Sequence, residues 1–162
     1  MTTVRAWYNA STAEAAAPPG HVDGKAFVAL EATDEDRQWA LWTHLAPLLA
    51  TVITSGTLVP LAIGWALYVL YVPGKQRPFV ADHAREMLNF AISYLIYWTV
   101  GVGLVALLSF GLGLLLFIPF LVVLGLVGTI MASIAAAKGR YYRYPMTIRF
   151  VNAPETTDHP RA

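Results

Sequence analysis

The sequence contains no cysteine. Disulfides, thiolate metal sites and thiol nucleophiles are therefore excluded at the outset. Charge is also scarce: 13% of the 162 residues are Asp, Glu, Lys or Arg, and the net charge is +1. A soluble domain carries about 25% charged residues, so the deficit argues for a chain that lives in lipid. No basic run suited to phosphates occurs, which sets nucleic acid aside as a partner. His21, His44, His83 and His159 are scattered and show no metal-ligand spacing of the HExxH kind. The first twenty residues lack a basic stretch followed by an apolar core, so no cleaved signal peptide is expected. Nothing in the sequence points to a cofactor.

What is present is apolar. Hydrophobic residues make up 57% of the chain, and the mean hydropathy is +0.54. The expected architecture is all-α: a polytopic membrane bundle of about four transmembrane helices in two hairpins, with disordered tails at 1–33 and 152–162. The expected helices lie at about 35–53, 57–72, 80–108 and 113–138, followed by an interfacial segment at 139–151. Thr33 or Asp34 is a plausible N-cap, with Asp34, Glu35 and Asp36 at the positive end of the helix dipole. The apolar runs Trp39–Ile53 and Leu58–Val72 are each short of the roughly 20 residues of a full crossing. Three readings fit them: two short passes, a re-entrant hairpin, or one long pass with an interfacial piece. The two-pass hairpin is favoured, because Arg37 and Lys75 can snorkel.

Basic residues orient the chain. Lys75, Arg77 and Arg85 cluster around the central loop, and Lys138, Arg140, Arg143 and Arg149 follow the last helix. The turns at 54–57 and 109–113 carry no charge. The positive-inside rule then puts the central loop and C-terminus in the cytoplasm, and the N-terminus with them if the first hairpin crosses twice. The expected location is a bacterial cytoplasmic membrane.

One stretch stands out: "PFVADHAREMLNFAISYLIY", Pro78 to Tyr97. At about 100° per residue, His83, Glu86, Asn89, Ser93 and Tyr97 fall within an arc of about 120°. Such a stripe avoids lipid and faces protein or water. Two roles fit it: interhelical hydrogen bonding, or the lining of a path or partner site. His44 lies deep in the first apolar run and could bond to this stripe. Its side chain is a packed hydrogen-bonding group or a proton relay. On the last helix, Gly125, Thr129, Ser133 and Ala137 recur at i+4, with Gly128, Ala132 and Ala136 as a second small-residue row. These rows suit close helix packing within the chain or between copies. Arg140, Tyr141, Tyr142, Arg143 and Tyr144 read as an interfacial anchor belt.

The segments "RPFVADHAREMLNFAISYLIY" (Arg77–Tyr97) and "GRYYRYPMTIRFV" (Gly139–Val151) resemble the DUF4870 family of small membrane proteins, relatives of the Tic20 chloroplast-import family. "DRQWALWTHLAPLL" (Asp36–Leu49) is similar to that family's opening helix. Ala91 departs from the pattern, which often has Gln there. The resemblance covers about residues 34–151. It implies a compact four-helix membrane bundle, and through Tic20 it suggests protein translocation or insertion.

The expected function is that of a non-enzymatic subunit or scaffold of a membrane complex. The alternative is an oligomeric small-solute channel or transporter. No nucleophile, base and orienting group combine into an enzyme site. Expected partners are the lipid bilayer and other membrane proteins or copies of the same chain.

Overall fold

The computed structural model describes residues 22–23, 26–27, 32–54 and 60–152. The expected tails at 1–33 and 152–162 fall almost wholly outside these residues. A two-residue antiparallel ladder, Val22–Asp23 with Ala26–Phe27, precedes the helices. Four helices follow: α1 (Asp34–Ile53), α2 (Leu61–Tyr71), α3 (Pro78–Leu108) and α4 (Leu114–Ala137).

Each boundary has a local cause. Thr33 caps α1 through a capping box. Its hydroxyl accepts from Asp36 N at 3.1 Å, and the Asp36 carboxylate accepts from Thr33 N at 3.0 Å. A 3₁₀ turn, Pro73–Gln76, joins α2 to α3. Gly74 makes it possible, because a Cβ there would lie 2.8 Å from Val69 O. Pro78 opens α3 at a position where its missing N–H costs nothing. A π-turn at Tyr97–Gly101 interrupts α3, which the sequence pattern does not announce. The α3–α4 turn uses left-handed backbone at Phe110 and Gly111. The α4 C-terminus closes as a Schellman motif, with Gly139 N on Ala136 O at 3.0 Å and Arg140 N on Ala135 O at 2.9 Å.

α1 packs mainly on α4 and crosses α3, while α2 lies along α3. Small residues permit the approach of α4: Gly128, Thr129, Ala132, Ser133 and Ala136 are buried within the chain, whereas Ala137 is exposed. Gly125 faces Tyr94, whose hydroxyl donates to Leu121 O at 2.9 Å.

The α1 start, the α2–α3 loop and the segment after α4 share one end of the bundle. Arg77 pairs with Glu35 at 2.6 Å and lies 3.4 Å from Asp36, and Arg143 pairs with Asp82 at 2.9 Å. Both outer ends of the α1–α2 pair therefore lie together. α3 and α4 are long and apolar enough to cross a membrane. α2 is not: its 11 residues extend about 16 Å, against a hydrocarbon core of about 30 Å. The expectation of four full spans is corrected to this extent, and α2 starts at Leu61 rather than near residue 57.

The core is largely apolar, but it also encloses polar side chains, and large apolar side chains line the outside. Polar side chains, including His44, His83, Glu86 and Asn89, are almost wholly buried. Leu107, Leu108, Leu115 and Leu116 are 73% to 81% exposed. Apolar residues on the outside and polar ones within are what a hydrocarbon solvent selects.

A Cβ at residue 125 would sit 2.7 Å from the Tyr94 hydroxyl oxygen. Gly125→Ala is expected to destabilise the bundle by about 1–3 kcal/mol in reversible unfolding in detergent. Adding Tyr94→Phe removes the colliding atom, so the double variant should recover part of the loss rather than add to it.

Candidate functional site

α3 from Phe79 to Ala91 is buried on every side. This run carries Asp82, His83, Arg85, Glu86 and Asn89, and its partners come chiefly from the segment after α4. Gly139, at φ +67°, turns the chain out of α4, and residues 140–151 run along α3 as a strap that turns back on itself at Pro145–Met146, where Met146 has φ +55°. Arg140 lies in an isolated β-bridge, and residues 141–151 form no strand.

Asn89 holds the far end of the strap. Its Oδ1 accepts from Phe150 N at 3.0 Å and Val151 N at 2.8 Å, and its Nδ2 donates to Val151 O at 2.9 Å. One side-chain amide thus replaces the ladder partners that an extended segment would otherwise need. Ser93 Oγ accepts from Ile148 N at 2.9 Å and donates to Asn89 O at 2.8 Å. The Tyr97 hydroxyl donates to Met146 O. The three lower members of the stripe therefore bind backbone of this chain.

Charge is paired nearer the loop end. Arg143 grips Asp82 with two bonds, 2.9 and 3.2 Å long. Glu86, fully buried, lies 3.5 Å from Arg143 and 3.4 Å from Arg149. The strap supplies two cations to two buried carboxylates. Loss of Arg143 would leave the buried Asp82 carboxylate without its partner, the costly side of breaking such a pair.

Between them runs a chain of rings. The Tyr144 hydroxyl lies 2.9 Å from His44 Nδ1, His44 Nε2 lies 2.9 Å from His83 Nδ1, and His83 Nε2 lies 3.1 Å from Arg140 O. A carbonyl can only accept, so His83 Nε2 carries a proton. With both rings neutral, every other donor follows: His44 Nε2 donates to His83, and Tyr144 donates to His44. Burial pushes the Tyr144 phenol up from its ordinary value, so it remains a donor. Tyr144 also stacks on Phe90 with ring centroids 4.1 Å apart.

His44 thus meets the stripe at His83, not at Glu86 or Asn89. The anchor-belt expectation is corrected at Tyr144, which is 3% exposed and packed inside, and at Arg143, which faces Asp82. Burial in a ring chain and an ion pair outweighs interfacial placement for these two. Tyr141 and Tyr142 are half-buried, with Tyr141 edge-on to Phe79 at 5.3 Å. Asp82 and Arg149 were not among the expected site residues. Asp82 has a signal in the sequence, since it falls inside the same helical arc as Glu86. Among the described residues, no group of three or more His, Asp or Glu side chains could hold a metal ion. At the rim, the Arg77 hydrogen bond holds the exposed Glu35 carboxyl below its ordinary pKa.

Two outcomes follow from these bonds. Asn89→Leu should raise hydrogen exchange at the Ile148, Phe150 and Val151 amides by about tenfold or more, since about 1.4 kcal/mol of lost holding energy suffices. The α4 amides should stay protected. Tyr144→Phe leaves His44 Nδ1 without its donor and should destabilise the fold by about 1–3 kcal/mol, read from thermal unfolding in detergent.

Comparison with known proteins corrects the family expected from the sequence. The Arg77–Tyr97 and Gly139–Val151 segments that suggested DUF4870 and Tic20 are the α3 stripe and the strap seated on it. They are packing signatures, and packing signatures do not by themselves separate families or functions. The protein-transport reading rested on that resemblance and loses its support with it. No curated protein and no solved structure matches the chain. The family model for magnetosome magnetite crystal formation proteins matches residues 35–151, from the first turn of α1 to the end of the strap. The chain belongs to this MamF/MmsF family.

Proposed function

We propose that the protein is a non-enzymatic integral membrane protein, a subunit or scaffold of a membrane complex in the process that describes its family, magnetite crystal formation in the magnetosome. The observation that carries this reading is the division of the molecule into a closed polar interior and an open apolar exterior. The stripe on α3 is covered by the strap, with Asn89, Ser93 and Glu86 all engaged by residues 148–151. That arrangement favours a structural role over the channel alternative, in which the stripe would face water.

In the bilayer, α3 and α4 cross fully, and α1 and α2 form a hairpin that enters and returns to the same side. The loop at 72–77, the start of the strap and the α1 start lie at the basic end, which the positive-inside rule assigns to the cytoplasm. The α3–α4 turn at Ser109–Gly113 lies on the other side. The partners are bilayer lipid and other membrane proteins or copies of this chain, reached through the exposed faces of α3 and α4.

The test uses the absence of cysteine. Single cysteines at Lys75, Lys138 and Leu112 are probed with a membrane-impermeant maleimide in intact and opened vesicles. Lys75 and Lys138 should react from one side and Leu112 from the other. In a magnetosome-forming host, the tagged protein should stay with carbonate-washed magnetosome membranes, and its deletion should shift crystal size. Release by carbonate, or unchanged crystals, would overturn the proposal.

A further inference from the structure

A cavity of about 650 Å³ lies between the α1–α2 hairpin and the α3–α4 hairpin. Its size falls within the roughly 300–1,000 Å³ of small-molecule sites. Its walls include Val52 of α1, Ala62 of α2, Ala91 and Trp98 of α3, and Val122 and Leu126 of α4.

The lining chemistry restricts the occupant. Among the described residues, no charged side chain lines the cavity. Its hydroxyls already donate to helix backbone: Thr51 to Pro47 O at 2.7 Å, Tyr94 to Leu121 O at 2.9 Å, and Thr129 to Gly125 O at 2.7 Å. A polar ligand would lose its water there and meet only hydroxyl lone pairs and the Trp98 N–H in return. A carboxylate or phosphate would have no cation to meet. Hydrocarbon suffers neither penalty. The mouth is continuous with the outer apolar surface, where Val52, Val122 and Leu126 are exposed. That is the surface which the membrane reading places against acyl chains.

We infer that the cavity holds one acyl chain of a bilayer phospholipid, inserted sideways from the hydrocarbon core with its headgroup left outside. The inference rests on the proposed membrane embedding, and it assigns the protein a lipid-binding site within that reading. Ala91 and Ala62 keep the site open, since larger side chains at either position would project into it.

The test is photolabelling of the full chain in phosphatidylcholine vesicles. A trace of phosphatidylcholine carries a diazirine midway along one acyl chain, and labelled residues are mapped by mass spectrometry. The α3 wall residues Ala91, Tyr94, Leu95 and Trp98 should label about tenfold more per residue than Leu104 and Leu115 on the outer face, a preference that a modest affinity gain produces. Ala91→Phe should remove that excess while leaving the outer label unchanged. Ala62→Leu provides the same reading if the first variant folds poorly. A wall labelled no more than the outer face, or a wall label that survives both substitutions, overturns the inference. Wall labelling by a diazirine fatty acid but not by the phospholipid overturns its assignment to phospholipid. Absence of label on the outer face as well overturns the membrane reading itself, so the two failures are distinguishable.

Discussion

The structure depends on one constraint: a polar group buried in α3 must find a partner within the chain. Asp82, His83, Glu86 and Asn89 are all at most 3% exposed. Water cannot reach them, and an unpaired charge at such a site is too costly to persist. The segment after α4 resolves this. It brings Arg143 and Arg149 to the carboxylates, a carbonyl to His83, and a strip of backbone to Asn89. Other features can be read as its support. The Schellman turn at Gly139 aims the strap, and Gly128 makes room for Tyr144, which a Cβ would meet at 3.1 Å.

Much of this was legible in the sequence, for physical reasons. The stripe is a periodicity of 3.6 residues, and periodicity survives in any environment that has one polar side. The capping box at Thr33 and the glycine turn at 109–113 are local codes, so they could be read locally. The partner of the stripe could not. Residues 146–151 alternate like an interfacial segment, and nothing local states that their backbone will meet a side-chain amide some sixty residues earlier. Tyr144 was misplaced for the same reason: an aromatic among arginines after a spanning helix reads as a belt, and only the position of His44 turns it inward. The π-turn at Tyr97–Gly101 and the short α2 reflect packing between helices, which single-segment hydropathy does not encode.

The family match and the geometry bear on different questions. The match covers the four helices and the strap together, so the whole described bundle after residue 34 is the family unit. The geometry shows a unit whose polar resources are used internally and whose outer surface is fitted to hydrocarbon. The ring chain from Tyr144 through His44 and His83 to Arg140 is then a brace joining α1, α3 and the strap at one level.

The strap also sets an order of events during synthesis. Asn89 bonds to Phe150 and Val151, 61 and 62 residues further along the chain. At about 5–20 residues per second, α3 waits on the order of 3–12 s for its partners to be made. Throughout that interval two carboxylates and an amide lack the strap groups that will later satisfy them. Until the C-terminal residues arrive, water is the solvent that can satisfy these groups. A chain cut short before residue 140 would carry the same buried-type groups on α3 with none of their strap partners.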